Sequence, residues 1–127
     1  MDIESTIADS VEDAQRSGII IVTDKWGIRN IEDKWVCLNN ECCPLGAVLL
    51  KHNLTFPESH FLYNPPTDLR NVRFNPAYSI SKLFDVDPEW VQSFFHGLIN
   101  AKICWYNNES ARQLGLQYYE KFGRSIK

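Results

Sequence analysis

The chain has 127 residues, 44% hydrophobic and 23% charged, with a formal net charge of −3. This composition excludes a disordered polymer, and a chain of this length buries roughly two-thirds of its unfolded surface without needing disulfides. The acidic balance disfavours nonspecific nucleic-acid binding, which runs on clustered Lys and Arg, and no apolar run approaches the ~20 residues that cross a bilayer.

Charge is nonetheless uneven. Asp2, Glu4, Asp9, Glu12 and Asp13 open the chain with no base among them, whereas Arg112, Lys121, Arg124 and Lys127 face only Glu120 near its end. Such runs read first as solvated helix faces and second as a polar partner surface. The acidic, amphipathic opening is unlike a signal peptide, so the expected location is cytoplasmic.

The elements follow in order. Ile3, Ile7, Val11 and Ala14 recur at helical spacing, and Gly18 is placed to stop that helix. Ile19 to Val22 is a β-branched run. "DKWG" is a turn candidate and "KWVCL" a candidate partner strand, which together predict a small β-hairpin near residues 19–38. "PLGAVLLKH" reads as a central helix with Pro44 in its first position, where a missing N–H costs nothing. "NLTFPESHFLYNPPTD" is too rich in proline for a regular element and reads as a loop pinned by Phe56, Phe61, Leu62 and Tyr63. A third helix starts near Pro76 with Asn75 as its cap. A fourth, over "DVDPEWVQSFFHGLINAKI", has Asp87 as cap and Pro88 first. A fifth, over "NNESARQLGLQYYEKFG", is capped near Asn107 or Asn108 and ended by Gly123. The expected architecture is a single compact α+β domain over residues 1–127, mainly α with about five helices and one small hairpin.

"WVCLNNECCPLGAVLL" sets three cysteines close together. Zinc sites are built from two close pairs, and here a second pair is missing. Only His52, His60 and Cys104 stand as isolated ligand candidates, so no metal and no cofactor is expected. A reactive thiol is the sharper reading. Cys43, before Pro44, would cap the second helix, where the peptide dipoles favour a thiolate, and Cys42 could resolve it. Glu41 opposes that charge. Free cysteine also packs well as a small buried hydrophobe, and Gly46 and Ala47 would let another element approach closely. Cys42 and Cys43 are the reactive-thiol candidates. Packing is the favoured role.

Residues 80–97, "ISKLFDVDPEWVQSFFHG", place Ile80, Ser81, Phe84, Asp85, Val86, Asp87, Val91, Phe94 and Gly97 in a spacing that resembles the helix-turn-helix of repressor-type DNA-binding proteins. The resemblance covers 18 residues of the chain and implies a recognition helix over its second half. Asp85 stands where such turns usually have Gly, and Asp can enter the left-handed region. A recognition helix reads bases through Arg, Lys, Asn or Gln near its N-terminus. Here that end is Asp87, Pro88, Glu89 and Trp90, so a basic surface would have to come from Arg70, Arg73, Lys82 and Lys102.

No phosphate-binding glycine loop and no Ser–His–Asp set emerges, which points away from an enzyme. The favoured function is a non-enzymatic protein-interaction or regulatory module whose partner is another protein or a second copy. The first alternative is a helix-turn-helix nucleic-acid regulator, and the second is a redox enzyme or sensor using Cys42 and Cys43. Interaction-surface candidates are Trp26, which the turn would expose as a binding hot spot, and the polar stripe Glu89, Gln92, Ser93, His96 and Asn100.

Overall fold

The computed structural model describes residues 2–32, 34–53, 76–102 and 108–123. The first helix, α1 (Ile3–Arg16), starts because the Asp2 carboxylate accepts from the Ser5 N–H at 3.2 Å and from its hydroxyl at 2.9 Å. Thr6, Ile7, Ser10, Val11 and Ala14 form its buried face. Arg16 pairs with Glu12 and Asp13 in the last turn, and Gly18 follows at φ 84°, a left-handed conformation that glycine adopts without steric cost.

Four short strands come next: β1 (Ile20–Ile21), β2 (Ile28–Ile31), β3 (Lys34–Cys37) and β4 (Glu41–Cys42). The antiparallel hairpin joins β2 to β3, with Ile28 opposite Cys37 and Ile31 opposite Lys34. It therefore lies inside residues 19–38, but Ile20 and Ile21 are not part of it. They pair parallel with Glu41 and Cys42. The reason is a second reversal. Asn39 and Asn40 sit at φ 54° and 58°, two successive left-handed residues of the kind that close tight hairpins. Leu38 bridges Glu41 across them, and β4 is delivered to β1.

The second helix, α2 (Pro44–His52), begins at Cys43, whose sulfur accepts from the Gly46 N–H at 3.2 Å. Asn53 ends it in the left-handed region at φ 50°, and its side-chain oxygen accepts from the Trp35 N–H at 2.8 Å. The remaining helices are α3 (Pro76–Phe84), α4 (Pro88–Leu98) and α5 (Glu109–Phe122). Asp87 caps α4 by accepting from the Glu89 N–H at 2.8 Å, and Asn108 caps α5 by accepting from the Ala111 N–H at 3.0 Å. The fourth helix ends at Leu98, so of the expected extension through Ile103 residues 99–102 are not helical and Ile103 lies outside the described residues. The loop expected at 53–68 lies, beyond Asn53, outside the described residues, as do Asn75 and Asn107.

α1 packs on α2, α2 on α3, α3 on α4 and α4 on α5, the last being the most extensive contact. Ile7, Leu45, Val48, Leu49, Ile80, Val91, Phe94 and Leu98 are fully buried, each stabilising by about 1.5–3 kcal/mol relative to exposure. Phe94 centres an aromatic chain. Its ring lies 5.6 Å from Trp90, 6.4 Å from Phe95 and 6.1 Å from Tyr118. Among the described residues no helix is long and apolar enough to cross a membrane.

Candidate functional site

Cys42 and Cys43 are both fully buried. Loss of hydration is the main cause that pushes each thiol up to about 12, and for Cys42 the neighbouring Cys43 and Cys37 add to it. The helix start does act on Cys43, through the N–H donors that lower its pKa, but burial outweighs them. Thiols held there are protonated at neutral pH, which slows attack by either sulfur. Close packing explains the small residues around them. A methyl at Gly46 would stand 2.6 Å from the Trp26 carbonyl oxygen, and one at Gly27 2.0 Å from that of Glu41. The Trp26 carbonyl in turn accepts from the Cys43 N–H at 3.1 Å.

Cys37 differs. It is half-buried and lines a groove of about 280 Å³ between α1, Ile19, β3 and α2. Ala14, Ile19, Ala47 and Leu50 give the groove an apolar wall, and the Asp13–Lys51 pair, 2.8 Å apart, lies on its rim. Among the described residues no group of three or more His, Cys, Asp or Glu is placed to hold a metal ion.

α3 and α4 meet at Asp85, which takes φ 51°, the left-handed conformation open to Asp. Ser81 Oγ donates to the Val86 carbonyl at 2.6 Å and ties the corner. The stripe expected to be a contact surface is divided. Ser93 is fully buried, and its hydroxyl accepts from the Asn108 N–H at 3.3 Å, so it joins α4 to the start of α5. Gly97 faces α5 as well, since a methyl there would stand 1.9 Å from the Arg112 carbonyl oxygen. Glu89 and Asn100 are exposed, while Gln92 and His96 are half-buried. No Lys or Arg stands on α4 itself, and Arg70 and Arg73 lie outside the described residues. Trp26 is not an exposed turn residue. It is half-buried against the core, its ring 4.4 Å from that of Phe95.

Sequence reasoning missed a different surface. The described residues expose four large hydrophobic side chains: Ile20 at 60%, Ile99 at 52%, Ile31 at 47% and Leu38 at 40%. Three of them share one side of the β-ribbon. Strand residues alternate between faces and directly paired residues share one. Ile28 with Cys37 and Asn30 with Trp35 turn inward, so Arg29 with Val36 and Ile31 with Lys34 turn outward. Leu38 continues the outer row, and Glu41, paired with both Leu38 and Ile20, carries it onto β1. Lys25 neutralises Glu41 at 3.6 Å. The signal is present in the alternation of "IRNI" and in the Asn–Asn reversal, both of which lie outside the "DKWG" turn candidate.

Comparison with protein families, with curated proteins and with solved structures gives no match to this chain.

Proposed function

We propose that this chain is a protein-interaction module that docks through the outer face of its β-ribbon. One observation carries the reading: Ile20, Ile31 and Leu38, all more than a third exposed, stand on one face together with Val36. Scattered single hydrophobics need no explanation, but several exposed apolar side chains gathered on one face with polar groups among them are what contact surfaces present. Arg29, Lys34 and Glu41 stand among them on that face, Glu41 paired with Lys25. The partner is a second protein or a second copy of the chain.

The test is an Ile20→Ser, Ile31→Ser, Leu38→Ser variant, whose changes fall on solvated positions and leave the core intact. Sedimentation of each protein alone, and capture from an extract of the producing cells, compare it with the unaltered chain. Loss of self-association or of a captured partner in the variant supports the reading. Identical behaviour of the two proteins, with the fold intact in both, overturns it.

A further inference from the structure

We infer that Cys37 and Cys42 form a redox-responsive dithiol, closed to a cross-strand disulfide by a low-molecular-weight disulfide that enters through the groove at Cys37. The pairing follows from the second reversal. With Leu38 opposite Glu41 across Asn39 and Asn40, Cys37 and Cys42 are the next residues out on the two arms of the turn. Leu38 is exposed, whereas Cys42 is buried and Cys37 lines the groove. A disulfide between them requires Cβ atoms about 3.5–4.5 Å apart. The Cys37 sulfur already lies 3.4 Å from the Glu41 carbonyl oxygen, next to Cys42 in the chain, and the two thiols are near enough to influence each other's pKa.

The other thiol of the stretch is differently engaged. Cys43 follows Cys42 directly, and its sulfur is held by the Gly46 N–H as the cap of α2. The inferred couple is therefore Cys37–Cys42 and not the Cys42–Cys43 couple expected from sequence.

Access sets the order of events. Cys37 gives up its proton, and its sulfur bonds one sulfur of the small disulfide. The S–S bond breaks, and the departing thiolate takes a proton to leave as a thiol. Cys42 then loses its proton, and its sulfur attacks that of Cys37, expelling the second small thiol. Two protein thiols are oxidised to one disulfide and one small disulfide is reduced to two thiols. Burial raises the pKa of both protein thiols, which slows both attacks. It also leaves no stabilised thiolate to favour reversal, as the strongly oxidising disulfides have. The closed form is accordingly a lasting staple across the Asn39–Asn40 turn rather than a turnover centre. This inference is independent of the docking face, which lies on the other side of the ribbon.

The experiment treats the full chain with glutathione disulfide and follows intact mass and peptide maps without reduction. Loss of the mass of two hydrogens is expected, with the Cys37 peptide linked to the peptide that begins after Glu41. In Cys43→Ser the second peptide contains Cys42 alone, so persistence of the link assigns it. Cys37→Ser forms no such link, and Cys42→Ser stalls with glutathione on Cys37. Because Cys42 is a core residue whose replacement can prevent folding, the Cys43→Ser and Cys37→Ser results suffice. A link to Cys43 or Cys104 in place of Cys42, or free thiols under conditions that oxidise a control dithiol peptide, overturns the inference.

Discussion

Gly97 of α4 and Gly115 of α5 stand against each other's helix backbone. A methyl at Gly97 would lie 1.9 Å from the Arg112 carbonyl oxygen, and one at Gly115 would lie 2.0 Å from the Phe94 carbonyl oxygen. The two helices approach this closely because Ser93 and Ala111 are also small and buried at the same contact. In a free helix alanine would be favoured over glycine by about 1 kcal/mol. Here either Gly97→Ala or Gly115→Ala must push a backbone away, and overpacking of this kind costs about 1–3 kcal/mol. Urea unfolding is expected to show a loss of that order for each. The double variant should lose less than their sum, since a separation made for one methyl accommodates the other. A gain in stability from either replacement would mean that the helices are not in backbone contact.

The rim of the groove predicts an acid dependence. Lys51 holds the Asp13 carboxyl below its usual 3.8, by hydrogen bond first and charge second. Asp13 in turn holds Lys51 above its usual 10.5. A lowered carboxylate contributes stability that is present above 3.8 and fades as pH falls through the folded value. A raised ammonium contributes stability that is complete below 10.5 and fades as pH rises through its folded value. The pair therefore acts across the neutral range and fails at both ends. Asp13→Asn should be slightly less stable than the unaltered chain at neutral pH and indistinguishable from it in strong acid. The difference should shrink with added salt, because both groups are solvated. An offset that persists in strong acid would assign the effect of Asp13→Asn to something other than this charge pair.

Cys43 separates capping from titration. Serine at this position retains an acceptor for the Gly46 N–H, whereas alanine removes it. Loss of an N-cap costs about 0.5–2 kcal/mol, so Cys43→Ala should unfold at lower denaturant than Cys43→Ser. The thiol also has a pH signature. The unfolded chain releases its proton near 9.0, while the folded chain retains it to about 12. A raised thiol pKa thus stabilises the fold below 9.0, and that contribution declines as pH climbs from there toward 12. Cys43→Ser should lose part of this alkaline decline, with Cys42, raised to about 12 as well, supplying a remaining share. An alkaline profile unchanged in Cys43→Ser would show that another group sets it.

Much of the helical framework was legible because its signals are local. Asp87 before Pro88, Cys43 before Pro44 and Gly123 after Phe122 mark boundaries by capping chemistry alone. The hairpin near residues 19–38 is present, but its strand partners differ where the signals compete. "DKWG" has turn composition, yet Gly27 takes φ 70° to let the chain pass close to Glu41, and Trp26 turns back onto Phe95. The true reversal at Asn39–Asn40 is equally local, but choosing it requires knowing that β4 pairs with β1 some twenty residues earlier, which no periodicity records. The stripe on α4 failed in part for a similar reason. Ser93 is polar by type, but the start of α5, fifteen residues on in sequence, takes its hydroxyl.

Asn53 performs two tasks that two substitutions can divide. It ends α2 at φ 50°, and its side-chain oxygen takes the Trp35 N–H. That N–H belongs to the inward-facing pair Asn30–Trp35 and finds its partner across the chain rather than in the hairpin. Asn53→Gly keeps the left-handed end at no steric cost but leaves the Trp35 amide without its acceptor, a loss of about 1–3 kcal/mol where water cannot replace it. Asn53→Ala adds the penalty of a left-handed alanine, about 1–2 kcal/mol, so it should be the less stable of the two. Amide exchange at Trp35 gives the residue-level check. It should accelerate in both variants by more than global destabilisation accounts for, while the amides of Ala47 and Val48 in α2 follow global stability alone. If Trp35 exchange in Asn53→Gly changes only as much as those helix amides, the bond contributes nothing of its own, and the difference between the variants belongs wholly to the backbone.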